Sequence, residues 1–231
     1  MSLPMFTTPK HRVELPSTGE KIEFRPFLVK EQKLLLMATN GDAEQQISAL
    51  NEVIHACTFG KVNAEKLPAF DAEFLFLNIR AHSVGENVNI VMTCSCEAKQ
   101  DAKLDVTAVK VDRPDNHTKT IDVDADVSIE MRYPTLTELS TMQADTNIDS
   151  IINLIASSID SIWQGEERYA AQDYSAAELI EFVESLSPAV LDKLENFFAT
   201  MPVLRHNMAW DCKECGKHND VTMEGMNSFF A

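Results

Sequence analysis

Two cysteine couplets decide the fold predicted for this chain: Thr93-Cys94-Ser95-Cys96-Glu97-Ala98 and Cys212-Lys213-Glu214-Cys215-Gly216. Residues that alternate between apolar and polar side chains flank each couplet, which is typical of β-strands. A thiolate couplet at a strand-to-turn corner is half of a zinc ribbon, and two halves make a tetrahedral four-sulfur site. Gly216 provides the positive φ that the second corner needs, whereas the one-residue spacer of the first couplet strains its turn.

We therefore predict a structural zinc ion bound by four sulfur ligands, Cys94, Cys96, Cys212 and Cys215. Free thiols in a reducing cytoplasm and a disulfide are the alternatives. His206 and His218 are reserve ligands, each able to replace one sulfur. Four sulfurs leave no open position for water, so the site is expected to be structural and not catalytic. Cys57 lies in an apolar helical run and is expected in the core.

The composition is that of a folded globular protein with an acidic surface. At 231 residues and 45% hydrophobic content the chain can bury a core in one or two domains. The net charge of −16 disfavours nucleic acid as a partner, because phosphates would be repelled. No apolar run approaches the roughly 18 residues of a membrane span, and no secretory signal is visible at Met1 to Phe6. We expect a cytoplasmic protein.

The local patterns predict an α+β fold. A β-hairpin is predicted over residues 11–27, followed by three helices that cover 29–38, Asp42 to about Cys57, and Ala72 to about His82, with Asp42 and Asp71 as N-caps. Strands are predicted within 119–133, and helices over about 136–144, 148–163, 176–185 and 188–199. The expected domains are a mixed α/β body with the zinc ribbon, 1–133 plus 203–231, and an inserted helical segment, 134–202.

The sequence contains no recognisable catalytic motif. The P-loop, GxGxxG, HExxH and GxSxG strings are all missing. The six histidines are scattered, and none is spaced to serve a nucleophile. We therefore expect no enzyme.

Most of the sequence resembles the T4-type bacteriophage baseplate hub proteins. The residues that carry the resemblance are Leu15-Pro16-Ser17-Thr18-Gly19, residues 24–31, 33–38, 70–77 and 80–86, the Cys-x-x-Cys couplet and the tail from Gly225 to Phe230. The resemblance implies a non-enzymatic protein of a contractile tail, acting as a hub subunit or as an assembly chaperone. Its partners would be hub or tail proteins, in the host cytoplasm during assembly and in the virion baseplate if the protein is retained.

Exposed aromatic and arginine residues are candidates for the partner contacts, because such residues are enriched at binding hot spots. We expect this role for Phe24, Arg25, Phe27, Phe229 and Phe230. The alternative function is a zinc-ribbon regulatory or nucleic-acid-binding module. That function would need a basic face, against which the net charge argues.

Overall fold

The computed structural model describes residues 7–144 and 147–225. These residues form seven α-helices and eleven strands in antiparallel sheets, so the fold is α+β, as predicted. In chain order the elements are β1 (His11–Glu14), β2 (Lys21–Phe24), α1 (Val29–Ala38), α2 (Ala43–Cys57), α3 (Ala69–Val84), β3 (Asn87–Thr93), β4 (Lys99–Asp105), β5 (Lys110–Asp112), β6 (Thr120–Asp122), β7 (Val127–Met131), α4 (Leu136–Ala144), α5 (Ile148–Ser157), β8 (Ile159–Gln164), β9 (Glu167–Ala170), α6 (Ala176–Glu184), α7 (Pro188–Thr200), β10 (Val203–Asp211) and β11 (His218–Glu224). Among the residues described, no helix combines the length and apolar character needed to cross a membrane.

The chain divides into two compact units. The first contains the residues up to Asp112 and those from Val203 onward, and the second is Arg113–Pro202. The first boundary therefore lies at residue 112, where the sequence suggested 133. The reason is that β6 and β7 pair with β8 and β9 in one four-stranded sheet. The second unit is consequently a mixed sheet-and-helix body and not a purely helical insertion.

The first unit contains the predicted hairpin and helices. The Asp42 side chain accepts the backbone N–H of Gln45 at 2.9 Å and caps α2, as expected. The predicted cap at Asp71 is wrong, because α3 begins at Ala69, directly after Pro68. Asp71 lies inside the first turn, fully buried, and accepts hydrogen bonds from the backbone N–H and the hydroxyl of Ser17. It therefore fixes the β1–β2 turn against α3.

The sheets of the first unit are small. β1 pairs with β2, β3 pairs with β4, and β10 lies between β5 and β11. Apolar side chains from the helices and strands fill the core, and the most deeply buried include Phe24, Val53, Ile54, Leu75, Ile79, Leu104 and Leu204.

The second unit packs helices against the four-stranded sheet β6-β7-β8-β9. The predicted helix 148–163 is wrong in its second half: α5 ends at Ser157, and β8 pairs with β7 through Ile162 and Ile129. Isoleucine is common in β-strands as well as on the apolar faces of helices. Burial alternates from residue 159 to 161, as in a strand. The core of this unit contains Ile121, Ile129, Met131, Ile155, Ile159, Val183, Leu194 and Phe197.

An arrangement that we call the arginine clasp joins a strand to a capped helix in the first unit. The Nη2 of Arg25 donates to Glu31 Oε1 at 2.9 Å, and its Nη1 donates to the carbonyl of Pro26 at 2.9 Å. The other Glu31 oxygen accepts the backbone N–H of Leu28 at 2.7 Å, at the start of α1. The backbone N–H of Arg25 donates to the carbonyl of Cys57, the last residue of α2. The clasp therefore fixes β2, α1 and α2 together.

The same clasp occurs in the second unit. The Nη2 of Arg132 donates to Glu138 Oε1 at 2.5 Å, and its Nη1 donates to the carbonyl of Tyr133 at 3.3 Å. The other Glu138 oxygen accepts the backbone N–H of Thr135 at 2.8 Å. The backbone N–H of Arg132 donates to the carbonyl of Ser158, directly after α5. Each interaction of the first clasp thus has a counterpart here.

The sequence around the two clasps is also similar. Ile22-Glu23-Phe24-Arg25 corresponds to Ile129-Glu130-Met131-Arg132. A single offset in residue number relates the arginines, the starts of α1 and α4, the 3₁₀ turns at Ala64–Lys66 and Ala171–Asp173, and the starts of α3 and α6. Both units therefore contain hairpin, clasp, two helices, 3₁₀ turn and helix in this order, and the second unit inserts β8 and β9 between its second helix and its 3₁₀ turn.

Candidate metal centre

The two cysteine couplets lie at the tips of two β-hairpins in the first unit. The first tip joins β3 to β4. Its backbone is closed by hydrogen bonds from the N–H of Cys94 to the carbonyl of Ala98 at 2.9 Å and from the N–H of Glu97 to the carbonyl of Cys94 at 2.8 Å. Glu97 has φ of 67° and takes the left-handed conformation that closes the turn.

The second tip joins β10 to β11 and is one residue longer. The N–H of Cys212 donates to the carbonyl of Lys217, and the N–H of Gly216 donates to the carbonyl of Cys212, both at 2.9 Å. Gly216 has φ of 69°, which confirms the positive φ predicted there. Glu97 is its counterpart in the first tip, a role that was not predicted from the sequence. The signal was its position, because each residue follows the second cysteine of its couplet.

The four couplet sulfurs converge on one point. The Sγ atoms of Cys94 and Cys215 are 3.7 Å apart, as are those of Cys96 and Cys212, and all four lie within 4.8 Å of one another. Zinc–sulfur bonds of about 2.3 Å in a tetrahedron place the sulfurs about 3.8 Å apart. The four predicted ligands are therefore compatible with a tetrahedral metal site.

Polar contacts also join the two tips. The side chain of Gln100 donates to the carbonyl of Asp211 at 3.4 Å and accepts the backbone N–H of Lys213 at 3.1 Å. The Nζ of Lys217 donates to Ser95 Oγ at 2.9 Å. These contacts hold the two tips face to face independently of any ion.

The thiols interact strongly. The backbone N–H of Cys96 lowers the pKa of Cys94 to about 6, with further stabilisation from the other three thiols. The N–H of Ala98 lowers the pKa of Cys96, but Cys215 and the other thiols outweigh it and raise that pKa to about 12. The negative charge of one thiolate in the cluster thus opposes the ionisation of a neighbouring thiol. A bound cation removes this conflict, because it lets all four sulfurs bind as thiolates.

The cluster is half enclosed. Cys94 and Cys212 are both buried, with 3% of their surface exposed, while Cys96 and Cys215 are exposed. The buried pair forms the inner half of the site, and the exposed pair forms the half that faces solvent. The site is therefore reachable by an ion from solution, although its inner half is shielded.

The remaining sequence candidates lie elsewhere. His218 is exposed, and its Nδ1 is 2.7 Å from Asp211 Oδ1, so the ring is committed to that carboxylate. His206 lies on β10 opposite Met223, and neither histidine belongs to the sulfur cluster. Cys57 is fully buried, as predicted, and burial raises its pKa to about 11, which keeps it a thiol.

The predicted contact residues at the start of the chain are largely internal. Phe24 is 1% exposed and packs edge-on against His82, and Arg25 is engaged in its clasp. The prediction that these two residues contact a partner is corrected, because the hairpin buries Phe24 and the clasp engages Arg25. Phe27 is half-buried, with its N–H donated to Ser83 Oγ at 2.8 Å. Phe229 and Phe230 lie outside the described residues.

Comparison with known proteins agrees with the resemblance noted from the sequence. Residues 8–231 match the family described as T4 bacteriophage base plate protein. The baseplate hub assembly protein gp26 of Enterobacteria phage T4 is 26% identical over 214 residues, covering 92% of this chain and 94% of that protein. No solved structure matches the chain. Because the family match spans nearly the whole sequence, the chain belongs to the T4 bacteriophage base plate protein family.

Proposed function

We propose that this protein is a non-enzymatic component of phage baseplate hub formation, acting by protein–protein binding as a hub subunit or as an assembly chaperone. The observation that carries the proposal is the family match over residues 8–231. The similarity to a protein named for baseplate hub assembly supports the same role. The partners would be other baseplate or tail proteins, met in the host cytoplasm during assembly.

The proposal includes a structural zinc ion bound by Cys94, Cys96, Cys212 and Cys215. The sulfur separations of 3.7 Å support zinc, because they match the edge of a zinc–thiolate tetrahedron. Four protein ligands fill the coordination sphere, so the ion would have no position for a reacting water. Its role would be to stabilise the fold.

An ion bound by both tips, an arrangement that we call the metal clamp, would stabilise the weaker of the two hairpins. The β3–β4 hairpin forms a two-stranded sheet, and an isolated two-stranded hairpin is marginally stable in water. Joining its tip to the β10–β11 tip couples metal binding to the folding of both hairpins. The protein would then present both as a fixed surface to its partners.

A gene deletion and a virion analysis test the function. Loss of the gene should leave baseplates without a complete hub, and the protein supplied from a plasmid should restore infectious particles. Normal hub formation without the gene would refute the proposed role. Mass spectrometry of purified virions then separates the two modes, since a hub subunit remains in the particle and a chaperone does not.

A further inference from the structure

We propose that one face of α1 is a docking surface for another baseplate protein, and specifically for an apolar segment flanked by carboxylates. This inference rests on the proposed function and assigns it a surface. We call this surface the α1 face, and it consists of Leu28, Val29, Lys30, Lys33, Leu36 and Met37. It directly follows the segment in which partner contacts were predicted, where Phe24 is buried and Arg25 is engaged in its clasp.

The α1 face exposes large apolar side chains to solvent. Val29 is 80% exposed, Leu36 is 64% exposed and Met37 is 69% exposed. Val29 and Leu36 are two helical turns apart, so they lie on the same side, and Met37 is adjacent. Glu31 is the one residue of this helix that is buried. Contiguous exposed apolar residues of this kind mark interaction sites, whereas isolated ones are ordinary.

The second unit serves as an internal control for what the fold itself requires. The clasp positions α4 in its unit as it positions α1 in the first. At the positions of Leu36 and Met37, α4 has Gln143 and Ala144. A clasped helix of this type therefore forms without large apolar residues there. The fold leaves Leu36 and Met37 unexplained, and a partner would account for them.

The charge of the α1 face indicates the chemistry of that partner. Lys30 and Lys33 are exposed, and Glu31 is the one acidic residue between positions 28 and 41. Glu31 is buried and pairs with Arg25 at 2.9 Å and with Lys30 at 3.4 Å, so Lys33 is the cation of this face with the least involvement in the clasp. An apolar surface with a basic border is thus present on a chain whose net charge is −16. Complementary charge favours a partner with carboxylates beside its apolar residues, and it disfavours a basic one.

A groove beside the α1 face could receive an anchoring side chain. It has a volume of about 290 Å³ and lies between α1 and α2. Its apolar lining is Leu34, Met37 and Ala56, and its charged lining is Lys30, Glu31, Lys33 and Glu52. An apolar side chain inserted into such a pocket is the usual form of a binding hot spot.

The decisive variant copies α4 onto α1: Leu36→Gln combined with Met37→Ala. Thermal unfolding of this variant should match the parent protein, since Leu36 and Met37 are exposed and α4 carries the substituted residue types. Supplied to phage lacking the gene, it should lower the yield of infectious particles at least about tenfold, the effect of losing one hot-spot contact. Val91→Ser is the matched control, because Val91 is 61% exposed in the same unit, and it should support a normal yield.

The charge is tested separately. Lys33→Glu should also lower the yield, whereas Lys33→Arg should not. A photocrosslinking residue at position 37 then identifies the contact during infection. A crosslinked peptide with apolar residues and neighbouring carboxylates supports the proposal. A basic peptide, a peptide from a second copy of this chain, or full yield from the Leu36→Gln, Met37→Ala variant overturns it.

Failure of this inference is distinguishable from failure of the proposed function. If the deletion abolishes hub formation and every α1 variant restores it, the protein acts in assembly through another surface. If the deletion has no effect on hubs, the proposed function itself is wrong.

Discussion

The sulfur atoms of Cys94 and Cys215 lie 3.7 Å apart, although the two residues belong to different hairpins and are 121 positions apart in sequence. A loop of this length is entropically costly to close, so the two tips need a favourable interaction that holds them together. Direct contacts through Gln100 and Lys217 contribute, and the proposed ion would add to them. The hairpins and their cysteines are therefore best understood as one clamp.

The two left-handed residues of the clamp predict opposite effects on stability. Glu97→Gly should stabilise the protein by about 0.5 kcal/mol, since glycine removes the strain of φ 67° but adds unfolded-state entropy. Gly216→Ala should destabilise it by about 1 kcal/mol, because a Cβ at φ 69° is strained even though it meets no atom within 4 Å. Urea unfolding of both variants measures this, and equal shifts in the same direction would refute the matched roles.

The first clasp should contribute more to the free energy of unfolding than the second. Arg25→Met leaves Glu31 buried at 4% exposure without its cation, and we expect a loss of about 3 kcal/mol in the free energy of unfolding. Arg132→Met affects a pair whose side chains are 37% and 24% exposed, so water compensates and the loss should be about 1 kcal/mol. Denaturant titration compares the two. A larger loss at Arg132 would contradict the difference in burial.

The same carboxylates predict how stability depends on pH. Burial alone would raise the pKa of Glu31, but the hydrogen bonds from Arg25 and from the N–H of Leu28 outweigh it, so the pKa lies below the ordinary 4.5. The pKa of Glu138 is lowered in the same way, with Arg132 and Thr135 as donors. The folded state therefore binds fewer protons, and the stabilisation is present above pH 4.5 and is lost as the pH falls through the lowered values.

Glu31→Gln provides the test of that pH dependence. Its free energy of unfolding should change less than that of the parent protein between pH 6 and pH 3, because the titrating group is gone. Glu20→Gln, at an exposed position, is the control and should follow the parent curve. Identical curves for Glu31→Gln and the parent would refute the contribution of the clasp.

The C-terminal phenylalanines remain a prediction from the sequence. Phe229→Ala with Phe230→Ala should weaken co-purification of a tail or baseplate protein while leaving thermal unfolding unchanged, because aromatic anchors contribute strongly to interfaces. Deletion of residues 226–231 should do the same. If the same protein co-purifies at the parent level with the truncated chain, the tail has no part in binding.

Features with a strong local signal could be predicted from the sequence. The Asp42 cap and the cysteine couplets depend on residues close in the chain, and the structure places them as expected. The convergence of the four sulfurs could be predicted because paired cysteine couplets are a recurrent kind of metal site. The family resemblance depends on stretches of sequence and needs no tertiary contact, and the family match confirms it.

Features decided by tertiary contact could not be predicted. Ile159 continues a helical stripe in sequence, yet it lies in β8, because pairing with β7 outweighs helical spacing. Asp71 has the residue type of a cap, but its carboxylate accepts hydrogen bonds from Ser17, which is distant in sequence. Phe24 and Arg25 suggested a binding surface, and only the packing of the hairpin shows that they are internal. The recurrence of the clasp leaves only a short similarity in sequence, and its hydrogen bonds are what establish it.

The central claim is the metal clamp, and elemental analysis of the full-length protein purified under reducing conditions tests it most directly. We predict one zinc ion per chain, lost in the Cys96→Ser, Cys215→Ser variant, whose substituted residues are exposed and so perturb packing little. The Cys57→Ala variant should retain the ion, since Cys57 lies in the core away from the cluster. A folded parent protein without metal, or zinc retained by the double serine variant, would contradict the claim.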